Sequence, residues 1–214
     1  GSEMSGGARY LFVHDCTFMG TDKGLRFKSV RGRGGVVEHI YAKNIFMKNI
    51  AQEAIFFDMY YFVKFATDSP RDERPEINEG TPIFRHMKFE NIVCNGAEKG
   101  IFVRGLPEMP IEDIQMENLT LQTQVGAELV DAKGISIKNA QLQSVKTKPI
   151  ISVLNSSLLT FDGIQYAQNS DVLFSINGNR TQNISVKNTE FKNTKTKAEF
   201  LEGASEKELI FTNK

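Results

Sequence analysis

The chain of 214 residues contains no tryptophan and only two cysteines. It also carries no excess charge, because 26 Lys and Arg balance 26 Asp and Glu. Each shortage excludes something. A neutral chain does not bind nucleic acid through bulk electrostatics, which needs a basic surface. No run of about 18 apolar residues occurs, so no membrane-spanning helix and no membrane partner are expected. Cys16 and Cys94 lie far apart and outside any CxxC pair. They read as small buried hydrophobes, not as a disulfide framework. His14, His39 and His86 are scattered, without an HExxH or a Cys/His cluster. No metal site and no cofactor are therefore expected. The opening GSEMSGG lacks a basic-then-apolar start, so a secretory leader is expected to be absent or already removed.

What the chain does have begins with 40% hydrophobic residues, enough for a packed core and too many for disorder. Sixteen phenylalanines without tryptophan suggest a core of repeated Phe positions. A repeat is visible. Apolar and variable residues alternate twice and are followed by Asn or Asp, as in LFVHDC, IYAKNI, MKFENI, IQMENL, ISIKNA and ISVKNT. LTFDGI fits with Gly163 in the Asn place. The markers fall at 15, 44, 91, 118, 139, 163 and 188, in steps of 29, 47, 27, 21, 24 and 25. A second alternating segment follows each copy, as in GLRFKS, AIFFDMYY, GIFVRGL and AELVDA. Period two is the strand period, and almost nothing reads as an amphipathic helix. Short strands at this spacing describe an all-β solenoid, in which each coil adds a rung to two or three parallel sheets. The expected fold is a single-stranded parallel β-helix of seven coils, roughly 34 Å long at about 4.8 Å per coil. A sandwich would show hairpin turns between paired runs. Asn95-Gly96 and Asn177-Gly178 instead sit at coil corners. The recurring Asn is architecture, because Asn tolerates the left-handed corner and can bond from coil to coil. Cys16 and Cys94 then lie about two coils apart, roughly 10 Å, too far for a disulfide.

The chain reads as one domain over 1–214, interrupted by a loop at about 62–82 where the longest step falls. Pro70, Pro75 and Pro82 and dense mixed charge mark that loop, which is either a tolerated insertion or a wall beside a cleft.

The densest positive charge lies in TDKGLRFKSVRGRGG. Leu25 and Phe27 should point inward, leaving Arg26 and Lys28 side by side on the outer face. Such a pair suits a ligand bearing a carboxylate. One coil later Tyr61 ends the matching segment AIFFDMYY, so its ring and the two cations make a candidate saccharide subsite, with Asp58 the one acid in GLRFKS and AIFFDMYY. The Gly-rich stretches do not bind phosphate: GSEMSGG lacks Lys-Ser/Thr, RGRGG opens no helix and GNRTQN is a turn. One RGRGG in a neutral chain is weak support for RNA binding.

GSEMSGG, GTDKGLRFKSVRGRGGVVEHIYAKNI, EAIFFDMYY and GLPEMPIEDIQMENLTL together resemble glycoside hydrolase family 28, the polygalacturonases and related pectin-degrading enzymes. The resemblance covers essentially the whole chain and is nearest the bacterial branch. It implies a right-handed parallel β-helix and inverting hydrolysis of galacturonate-containing O-glycosidic bonds. The family's Arg-Ile-Lys motif stands here as Arg26-Phe27-Lys28, and the family's active-site Tyr falls on Tyr61. By resemblance, these three residues bind a galacturonate carboxylate beside the scissile bond. The family's Asn-Thr-Asp, Asp-Asp and Gly-His-Gly motifs do not occur in the chain. No catalytic residue is therefore assigned within it, and this C-terminal portion is expected to be inactive alone. The alternative is a non-catalytic module that binds acidic polysaccharide such as polygalacturonate. A calcium-dependent lyase would need clustered acids on one outer strand, which are not found. A plain structural shaft leaves Arg26-Phe27-Lys28 unexplained. The resemblance places the protein outside the cytoplasm or in the periplasm, and the open N-terminal coil is expected to favour self-association.

Overall fold

Alternating β-branched and aromatic residues become strands along nearly the whole chain. The computed structural model describes residues 5–61 and 73–212. Odd-numbered strands build one sheet: β1 (Ala8–Met19), β3 (Val36–Lys48), β5 (Ile83–Asn95), β7 (Ile111–Thr123), β9 (Ala132–Ser144), β11 (Ser157–Tyr166), β13 (Gln182–Lys187) and β15 (Leu209–Thr212). Even-numbered strands build the other: β2 (Leu25–Lys28), β4 (Glu53–Asp58), β6 (Lys99–Arg104), β8 (Val125–Val130), β10 (Ile151–Leu154), β12 (Ser170–Asn177) and β14 (Thr194–Leu201). Strands within each sheet pair in parallel and in chain order. The fold is therefore a parallel β-helix: seven coils of one odd and one even strand, closed by β15.

Two or three sheets are expected from the repeat, and the structure shows how both descriptions arise. The long odd strands bend twice, and each bend is a residue with positive φ. One column of bends is Asp15, Asn44, Asn91, Asn118, Asn139, Gly163 and Asn188, the marker positions of the repeat. The other runs through Tyr10, His39, His86, Asp113, Gly134, Leu158 and Asn183. One hydrogen-bonded ladder thus turns two corners. The left-handed conformation costs an ordinary L-residue roughly 1–2 kcal/mol, and Asn tolerates it because its short amide bonds locally. Here the amides form a ladder. Asn44 donates to Asp15 (2.8 Å), Asn91 to Asn44 (2.8 Å), Asn118 to Asn91 (3.0 Å) and Asn139 to Asn118 (3.3 Å). Gly163 interrupts it, and Asn188 donates to Asp162 instead (2.8 Å).

Inward residues stack in columns between the sheets. Ala42, Phe89, Met116, Ile137, Phe161 and Val186 form one. Phe27, Phe57, Val103, Leu129, Val153 and Ile176 form another across the core. The expected Phe positions meet there: Phe27 stacks on Phe57 at 4.7 Å, and Phe89 meets both edge-on at 5.8 and 5.7 Å. Cys94 is buried in this core, and burial pushes its thiol up to about 11. Cys16 is half-buried and bonds the carbonyl of His14, and both thiols are unpaired with each other. At the N-terminal end β1 is the edge strand, with Tyr10, Phe12 and Met19 exposed by 67%, 69% and 65%. Much of the expected loop lies outside the described residues. Its described end carries Gly80, whose carbonyl accepts the amides of Gly32 and Gly34, each at 2.9 Å. Gly34 is required there: its φ is +66°, and a Cβ would stand 2.1 Å from the Glu79 carbonyl. RGRGG is thus a docking turn for that segment.

Candidate carboxylate-binding site

The alternation of Leu25-Arg26-Phe27-Lys28 sets the site. Leu25 is buried and Phe27 packs on the core, so Arg26 and Lys28 emerge on the outer face of β2. Arg26 is exposed and Lys28 half-buried. The chain leaving β4 then zips onto the chain leaving β2. Ser29 N–H donates to the Asp58 carbonyl (2.9 Å), Tyr61 N–H donates to the Ser29 carbonyl (3.1 Å), and Val30 pairs with Tyr60 in an antiparallel bridge. This zipper carries the Tyr61 ring to the ammonium of Lys28, 3.5 Å from the ring centroid. A contact of this kind contributes about 0.5–2 kcal/mol, more when water is excluded. It orients the Lys28 ammonium.

Arg26 and Lys28 border a cleft of about 280 Å³ at the β1 edge of the first coil, where Ala8 and Gly34 stand over a floor of inward-facing Phe27 and the core residues Val37 and Phe84. No acidic residue is among the described residues lining it. A cationic cleft with an apolar floor suits an anionic ring: the cations take the carboxylate, and the floor takes the ring's apolar face. The structure therefore brings Lys28 and Tyr61 into contact and puts Arg26 on the same face. Tyr61 buttresses Lys28 and does not itself line the cleft.

Asp58 is not available as the acid of this site. It is buried on β4 in register with Lys28, but Arg104 grips both its oxygens at 2.7 Å. It also accepts the Tyr60 N–H at 2.9 Å. A second acid, Glu108, is held in the same way by Arg31 at 2.6 and 2.8 Å. The Tyr60 ring lies between these two guanidinium groups, 5.2 Å from that of Arg31 and 5.3 Å from that of Arg104. Burial is the main cause that holds the Tyr60 phenol above its ordinary pKa, so it remains a neutral hydroxyl. Sequence reasoning misses these pairs. Arg104 in GIFVRGL stands in register with Asp58, a match visible only once the coils are aligned. No group of three or more His, Cys, Asp or Glu that could hold a metal ion occurs among the described residues.

Residues 7–124 match the family model of glycosyl hydrolases family 28. The chain belongs to that family. The match takes in the Arg26-Phe27-Lys28 strand, Tyr61 and Arg104, so the family 28 segment and the cationic cleft coincide. A "Probable polygalacturonase" of Vitis vinifera is 25% identical over 141 residues. That alignment covers 64% of this chain and 27% of the relative, so the chain spans about a quarter of the grapevine protein. No solved structure matches this family 28 chain.

Proposed function

We propose that this chain grips the galacturonate units of pectin, with Arg26 and Lys28 taking a carboxylate and Tyr61 holding Lys28 in place. The observation that carries this is the cationic cleft over an apolar floor, with no acid among its described lining residues, built by the segment that matches family 28. By family, the reaction it serves is inverting hydrolysis of the bond beside the bound unit. Such hydrolysis needs one carboxylic acid and one carboxylate, roughly 6.5–9.5 Å apart. Asp58 and Glu108 are each committed to a guanidinium group. That commitment disfavours both for either role, and it supports a reading in which the chain supplies the clamp while the acid–base pair lies elsewhere. The same arrangement serves a non-catalytic module for acidic polysaccharide, and the locked carboxylates favour that reading for the chain by itself. A polymeric substrate puts this work outside the cytoplasm. Pairing of the exposed β1 edge with a second copy belongs to the same proposal and is read by light scattering.

The test is release of reducing ends from polygalacturonate by this chain, with EDTA present. No release is expected. Release that does not depend on metal would show that an acid and a base are present here, and Asp58→Asn would be the first variant to examine.

A further inference from the structure

A second cleft, of about 340 Å³, opens on the outer face of the even-strand sheet, the face from which Arg26 and Lys28 project. Apart from Tyr60, its residues lie on β6, β8 and β10 or directly follow them, two to four coils beyond β2, or roughly 10–19 Å from the clamp at about 4.8 Å per coil. Its electrical character is the opposite of the first. Every cation at its rim is matched by an acid. Lys99 donates to Glu128 at 2.6 Å, Arg104 grips Asp58 at 2.7 Å, and Arg180 meets Asp131 at 2.8 Å. The aromatic faces are also engaged by cations: Lys99 lies 4.6 Å and Arg104 5.5 Å from the Phe102 centroid, and Arg104 reaches Tyr60 as well. Val130 and Leu154 supply apolar wall. Asn155 lines the cleft too, and its Oδ1 is buried against Gly178 with no hydrogen-bond partner among the described residues. A ligand therefore reaches that oxygen only if the amide turns out of its contact with Gly178.

We infer that this second cleft binds an uncharged sugar unit, so that the face grips a polymer in which an acidic unit and an uncharged one lie a few residues apart. An incoming carboxylate would meet Glu128 and Asp131 and would have to displace an existing ion pair, which returns little for its desolvation. An uncharged ring loses far less water. Its hydroxyls can donate to the outer lone pairs of Glu128 and Asp131 and to the Asn155 amide, while its C–H face rests on Val130 and Leu154. Two kinds of unit share this chemistry: a neutral sugar, and a galacturonate whose carboxylate is methyl-esterified. The inference rests on the clamp reading only for where the rest of the polymer lies.

Methyl-labelled NMR of the chain tests it, read at Val130 and Leu154 during titration with three probes: trigalacturonate, its fully methyl-esterified form and lactose. The expected result is saturable shifts with at least one uncharged probe and none with trigalacturonate. Lactose alone, the ester alone or both identify the source. Asn155→Gly keeps the left-handed backbone and should weaken the uncharged probe about three- to tenfold, as loss of one hydrogen bond does. Arg26→Ala should leave these shifts unchanged while removing trigalacturonate binding. If Arg26→Ala leaves trigalacturonate binding intact while the uncharged probe still shifts Val130 and Leu154, the clamp reading fails and the second site stands. Absence of shifts with both uncharged probes, or equal shifts with trigalacturonate, overturns the inference.

Discussion

At the scale of single residues, the buried charge beside the site is matched by a partner. Arg104 is the clearest case. It neutralises Asp58, which is buried at 4% exposure, and covers the Tyr60 ring. Removing one member of a buried pair leaves an uncompensated charge and costs about 3–5 kcal/mol. Arg104→Ala is therefore expected to destabilise the chain by that amount in urea unfolding. Arg104→Leu combined with Asp58→Leu should recover most of the loss, because it removes the stranded charge. An effect of Arg104→Ala below about 1 kcal/mol would show that water reaches Asp58 and that the pair is a surface one. The outward placement of Arg26 and Lys28 is legible from alternation, because cations on a strand with inward Leu25 and Phe27 need no tertiary knowledge, whereas the contact of Tyr61 with Lys28 needs the two coils in register. The commitment of Asp58 is not legible: its partner lies 46 residues away, across the longest step of the repeat.

At the scale of the element, the coil corner determines register. A strand slipped by one residue would turn Ile45 and Met47 out and Lys48 in, so burial and the Asn column agree on one pairing. The fold is legible in the sequence for the same reason: a fixed Asn after a fixed alternation marks the same corner in most coils. The second column of left-handed corners is not legible, because Tyr10, His39, His86, Asp113, Gly134, Leu158 and Asn183 follow no fixed residue type. There tertiary stacking replaces local propensity. Tyr10 stacks on His39 at 5.0 Å and His39 on His86 at 5.3 Å. The repeat as read from the sequence omits β15, although its segment LIFTN has the same alternation and ends in Asn 25 positions after Asn188. Asn118 sits mid-ladder with φ +58°, accepting from Asn139 and donating to Asn91. Asn118→Ala loses both bonds and strains the corner, for an expected loss of about 2–3 kcal/mol in thermal unfolding. Asn118→Gly relieves the strain and should cost less than Asn118→Ala. Equal losses would mean that the ladder bonds, not the left-handed backbone, carry the effect.

At the scale of the molecule, neighbouring coils are tied by carboxylates as well as by backbone. The Arg85 guanidinium holds the Glu38 carboxyl below its ordinary 4.5, and Arg9 adds to this. A hydrogen bond from Asn44 lowers Asp15, and one from Lys195 lowers Asp171, each from 3.8. A carboxyl whose folded pKa is depressed stabilises the fold above its unfolded value, and that stabilisation is lost as pH falls through the folded one. The melting temperature should therefore be flat from pH 7 to about 5 and fall progressively below about 4.5. Circular dichroism across pH 7 to 3 reads this, and Glu38→Gln should flatten the first part of the fall. A melting temperature that rises on acidification would contradict the assignment of these ties.

The measurement that bears most directly on the account is binding of unesterified polygalacturonate to the chain and to its Arg26→Ala variant, with the melting temperature of each recorded. Arg26 is exposed and outside the core, so its replacement should leave the melting temperature unchanged. Loss of one charged hydrogen-bonding partner should weaken binding roughly ten- to a hundredfold. Unchanged binding, with the fold intact, would contradict the claim that this cleft takes the carboxylate of an acidic sugar.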